Sequence, residues 1–82
     1  MKLFLISQEQ NKDYDTYDSA VVAAPDEETA RQMDPSTGKP ANNWSEKYGA
    51  WCNDPEHVVV AYIGEAAAEV EQGVVCASFN AG

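Results

Sequence analysis

Four stretches of the chain carry apolar residues in the two-residue rhythm of a strand, and one stretch between them carries the marks of a short helix. In residues 2–8, KLFLISQ, Leu3 and Leu5 share one face while Phe4 and Ile6 share the other. Apolar side chains on both faces predict a central strand. Residues 17–24, YDSAVVAA, form the second. Val21 and Val22 are β-branched and suit a pleated strand, and Ala20, Ala23 and Ala24 let a neighbouring element approach closely. The polar residues 9–16, EQNKDYDT, read as the loop of an antiparallel hairpin joining these two strands. Residues 57–63, HVVVAYI, are again apolar on both faces and predict a well-buried third strand, with Gly64 as its stop. Residues 74–79, VVCASF, predict the last, and the ten residues before it are enough to close an antiparallel pair.

The helix follows the second strand. Pro25 cannot donate to a sheet ladder, Asp26 is a good N-cap, and Glu27 and Glu28 place carboxylates at the positive end of the helix dipole. Glu27 and Arg31 stand four apart and are expected to pair. Ala30 and Met33 supply the apolar stripe, and Asp34-Pro35 ends the element. The long connection over residues 34–56 contains Trp44, Tyr48 and Trp51 at the spacing of one helical face, which predicts a second short helical segment. Residues 65–72, EAAAEVEQ, are strong helix formers and predict a third short turn before Gly73. The pattern as a whole predicts one α+β domain over residues 1–82. It is a mainly antiparallel sheet of about four strands, with one short acidic helix and one or two further helical turns packed on it.

Charge changes this picture most. Fourteen Asp and Glu face five Lys and Arg, a net charge of −9. Nucleic-acid binding rests on neutralising phosphates with Lys and Arg, so direct contact with DNA, RNA or an anionic membrane is disfavoured. A partner protein with a basic surface is favoured, because opposite fields speed encounter. The longest apolar run near the start, residues 3–6, is too short for a signal-peptide core or a membrane span. The expectation is therefore a cytoplasmic protein whose two cysteines, Cys52 and Cys76, are free thiols. Oligomeric state is not encoded in any pattern of the chain.

No pattern of catalytic or metal-binding residues emerges, and the expectation is a non-enzyme without cofactor. Asp13, Asp15 and Asp18 lack the glycine and distal glutamate of a calcium loop. Cys52, Asp54, His57 and Cys76 lack the paired spacings of a zinc site, and His57, the single histidine, has no nucleophile at a recognisable spacing. Contact residues are easier to name. Tyr14 and Tyr17 stand among the carboxylates of Asp13 and Asp15, and tyrosine is enriched at interfaces. Glu27 and Glu28 add acidic charge, and Trp44 and Tyr48 offer rings that either cover the sheet or meet a partner.

The run YDSAVVAA, the acidic helix with Ala30-Arg31, the aromatic connection, the strand ending in YIGEA and the terminal VVCASFNAG together resemble short acidic proteins of phages and prophages. That resemblance implies action by binding: some such proteins block bacterial defence proteins, and others sequester nucleotide signals. Two readings follow. One is a protein-binding module, a phage-type inhibitor occupying a basic surface of a host defence factor in the host cytoplasm. The alternative is a nucleotide binder stacking its ligand on Trp44, Tyr48 or Trp51. The charge favours the first, since only Lys2, Lys12, Arg31, Lys39 and Lys47 could offset phosphates.

Overall fold

In a computed structural model, which describes residues 1–41, 44 and 49–80, the chain forms one four-stranded antiparallel sheet with little helix. The strands are β1 (Lys2–Ser7), β2 (Thr16–Ala24), β3 (Val59–Glu65) and β4 (Gly73–Asn80), in the order β3-β1-β2-β4. β1 and β2 pair as a hairpin, with Phe4 opposite Val22 and Leu5 opposite Val21. The loop between them is closed by Gln8, which is buried. Its amide nitrogen donates to the carbonyls of Asn11 (2.7 Å) and Tyr17 (2.9 Å), and its side-chain oxygen accepts from the Asn11 N–H (2.7 Å). A buried amide satisfied on both ends is a firm anchor, because an unpaired one would carry a desolvation cost.

One face of the sheet is covered. Phe4 and Ile6 of β1 and Ala20, Val22 and Ala24 of β2 point into a core completed by Ala30, Met33, Trp51, Cys52 and Val58. The cover begins with α1 (Glu27–Arg31). Asp26, extended at φ −153°, caps it by accepting from the Thr29 N–H at 2.8 Å, and this bonding holds the Asp26 carboxyl below its usual range. The expected pair between Glu27 and Arg31 does not form. The Arg31 guanidinium instead donates to the carbonyl of Val58 (2.6 Å), tying the helix to the entry of β3. A charge-assisted bond to a half-buried carbonyl outweighs a solvent-screened surface pair. The segment at residues 49–51 is pinned to the hairpin loop: Asn11 donates to the carbonyls of Gly49 and Trp51 (both 3.0 Å), and the Tyr17 N–H donates to Ala50 (2.8 Å).

Five expectations are corrected. The third strand begins at Val59, because Asp54 caps a single 3-10 turn, Pro55–His57, that takes His57 out of the sheet. Gly64 does not end that strand. At φ 151° it pairs with Leu3 just past a bulge at Ile63, and the strand runs on to Glu65. Nor is β3 well buried: it is an edge strand, with Val59, Tyr62 and Ile63 all more than half exposed. Residues 65–72 form no helix and close no β3–β4 pair, since β3 and β4 occupy opposite edges. The connection must pass three strand spacings, about 14 Å. A helix of seven residues reaches only ~10 Å, whereas extended chain reaches over ~20 Å. The segment accordingly keeps only a turn closed by the Val70 N–H on Ala67 (3.0 Å). Of the aromatic connection, Trp44 lies in a turn, and Tyr48 lies outside the described residues. No helix among the described residues is long and apolar enough to cross a membrane.

Candidate functional site

The pleat that buries Phe4 and Ile6 turns Leu3, Leu5 and Ser7 to the opposite face. The register adds Ser19 and Val21 of β2, Val59 and Ala61 of β3, and Cys76 and Ser78 of β4. None of these nine side chains carries a charge in a chain of net charge −9. Among the described residues no helix packs on this face. Leu5 is 37 % exposed, Val59 62 % and, at the β3 bulge, Ile63 52 %. Ala23, opposite Leu3 at one end, is fully buried; the openness begins beyond it. A single buried leucine or valine would contribute about 1.5–3 kcal/mol, so leaving several in water is a standing cost that a contact would relieve.

The surface here is not flat. A broad hollow of about 1070 Å³ lies at the hairpin-loop end, lined by Leu5, Ser7, Glu9, Asp18, Ser19 and Val59 among others. A smaller one of about 190 Å³ lies beside it, reaching Val21, Cys76 and Ser78. The two share Leu5 and Ser19, so together they make one shallow groove running across the strands from β3 to β4. Asp18 stands at its end because β2 is irregular there: Tyr17 pairs with Phe79 and Ser19 with Ser78, which leaves Asp18 as the extra residue of a bulge. Glu9, also at this end, has Lys12 at 3.9 Å across an exposed pair.

The contact residues expected from the sequence fall in three places. Asp13, Tyr14 and Asp15 are exposed together on the hairpin loop, Tyr14 at 74 %. Asp15 adopts φ 61°, and its N–H donates to Asn80 at 2.6 Å, which ties the loop to the end of β4. Tyr17 is only half-buried but is engaged, packing edge-on against Phe79 with ring centres 4.8 Å apart. Glu27 and Glu28 are exposed on the first turn of α1, on the covered side of the sheet. Trp44 is half-buried and leans on the core. Among the described residues, no three of His, Cys, Asp and Glu converge to hold a cation. Sequence reasoning does not single out the groove residues Leu5 and Val59, because it treats apolar residues on both faces of a strand as covered on both sides.

The two thiols have opposite surroundings. Cys52 is buried, its Sγ 3.5 Å from the carbonyl oxygen of Asp54, and burial pushes its thiol above the usual range; Cys76 is exposed on β4. Titration of the native protein without reductant is expected to find one fast thiol, Cys76, and unfolding should release the second. Two fast thiols in the native state would place Cys52 outside the core, and none in the unfolded state would mean a disulfide.

No known protein family, curated protein or solved structure matches the chain.

Proposed function

We propose that this chain is a small acidic protein-binding module that occupies a basic surface of another protein. In its phage-type setting it acts as an inhibitor of a host defence factor in the host cytoplasm. One observation carries the binding reading: a four-stranded sheet covered on one side leaves an uncharged apolar face open, beside carboxylates that few cations balance. The phage setting is supported by the sequence resemblance alone. The five basic residues offset only five of the fourteen acids, and two of them are already placed, Arg31 on the Val58 carbonyl and Lys12 beside Glu9.

The nucleotide alternative has less support. Trp51 is buried, Trp44 packs on the core, and the pocket they share with Asp34 measures about 170 Å³. Small-molecule sites are usually ~300–1,000 Å³ and enclose most of the ligand.

The test is capture of a partner from bacterial lysate on immobilised protein, followed by kinetics with the purified partner. Association should slow on the order of tenfold or more between about 0.01 M and 0.15 M salt, as the screening length falls from ~30 Å to ~8 Å. An association rate that ignores salt would overturn the electrostatic part of the reading.

A further inference from the structure

We infer that the occupant of the open sheet face is a cationic amphipathic segment of a partner protein. Its apolar side chains would lie along the groove over Leu5, and a Lys or Arg would reach Asp18 and Glu9 at the groove's end. The inference deepens the protein-binding reading and rests on it.

Shape comes first. The two hollows join at Leu5 and Ser19 into one track across the strands, bounded by Val59 on one edge strand and Cys76 on the other. On its floor Leu5 stands directly opposite Val21, and the neighbouring row is Ser7, Ser19 and Ser78, so a raised apolar pair beside shorter side chains meets the projecting apolar side chains of an elongated segment. The sheet edges are poorer docking sites. β3 carries a bulge at Ile63 and β4 one at Val75, and bulges on edge strands disturb the ladder that an added strand would extend.

Charge then selects the occupant. A second copy would bring another −9 onto a face whose end holds Asp18 and Glu9 against Lys12 alone. An anionic membrane or nucleic acid is repelled for the same reason. A segment with basic residues beside its apolar stripe is complementary on both counts: its stripe takes the neutral centre, and its cation takes the acidic end.

The experiment uses the whole chain and two labelled 18-residue probes. One is a Leu–Lys amphipathic peptide and the other its Leu–Glu counterpart, both read by fluorescence anisotropy at low salt. The Leu–Lys peptide should bind saturably one to one, and the Leu–Glu peptide should not. Two double variants carry the same net charge of −7, two units less negative than the −9 of the wild type. Glu9→Gln with Asp18→Asn neutralises the groove end, whereas Glu27→Gln with Glu28→Gln neutralises the helix on the other side. The first should weaken binding about tenfold, a difference of ~1.4 kcal/mol, and the second clearly less. Val59→Lys should weaken it at least as much as the first, with its melting temperature confirming that it is folded. Equal weakening by the two neutralised pairs, or unchanged binding by a folded Val59→Lys, would overturn the groove while leaving an acidic binding module standing. No binding of the Leu–Lys peptide up to about 100 µM would overturn the groove inference too, and an absence of any salt-sensitive partner in the capture experiment would overturn the broader reading separately.

Discussion

Trp51→Ala is expected to remove about 3–5 kcal/mol of stability, and Trp44→Ala distinctly less. Trp51 is 7 % exposed and belongs to the core with Phe4, Ile6 and Val58, whereas Trp44 only leans against that core from outside. The backbone reinforces the difference. The Trp51 carbonyl accepts from Asn11 across the hairpin loop, and the neighbouring Ala50 carbonyl accepts from Tyr17, so the chain at this point is held to the sheet from both sides. Deleting the ring would open a cavity that this pinned segment cannot close by collapsing. Small proteins hold only ~5–15 kcal/mol in total, and one of this length sits toward the lower end, so Trp51→Ala should lie near the unfolding threshold at room temperature. Its indole N–H finds no acceptor among the described residues, so Trp51→Phe, which keeps most of the apolar contact and loses no bond seen here, should recover much of the loss. Thermal and urea melts of the three variants decide the matter. Equal losses for Trp44→Ala and Trp51→Ala would mean that the two rings share one burial.

The strands are legible in the sequence because side-chain alternation and a breaker such as Pro25 are local signals. Their boundaries differ where another feature competes: the Asp54 cap takes His57 into a 3-10 turn, and the bulge at Ile63 carries β3 past Gly64 to Glu65. The strand order was not legible. It depends on where the connections land: residues 25–58 return the chain to the Ser7 end of β1, so that Val59 pairs with Ser7 and β3 falls outside β1. That placement then forces residues 66–72 to span the sheet, and the distance overrides the helix propensity of Ala66, Ala67 and Ala68.

The groove was hidden for a different reason. Apolar residues on both faces of β1 and β3 are the same signal whether the second face is covered by the chain or awaits a partner. What distinguishes the cases is the supply of cover. Among the described residues the cover is one five-residue helix and the segments around Met33, Trp51 and Val58, and these go to the face of Phe4 and Ile6. The charged candidates were visible because acids announce themselves in composition. Yet the structure scatters them: Asp13, Tyr14 and Asp15 share one loop, while Glu27 and Glu28 stand on the far side of the sheet. Asp18, which stands at the groove, was noticed only as a member of an acidic loop, since a bulge in a strand leaves no mark in the sequence beyond the pairing it upsets.

Substitutions on the two faces of the sheet should separate by several kcal/mol. Ile6→Ala is expected to cost about 2–5 kcal/mol. Ile6 is fully buried in the centre of the core, flanked in register by Ala20 and Val60, and neither small Ala20 nor the fixed strand backbone can fill the space it would leave. Val59→Ser, on the opposite face one strand away, should stay within about 0.5 kcal/mol of wild type, as surface substitutions do. It exchanges a 62 % exposed β-branched side chain for a polar one of similar reach, with no core contact to lose. Urea denaturation of both variants reads the contrast, with the slope checked to exclude a change in compactness. Should Val59→Ser cost as much as Ile6→Ala, the second face of the sheet would have to be covered in solution, and the groove drawn here would be part of an interior.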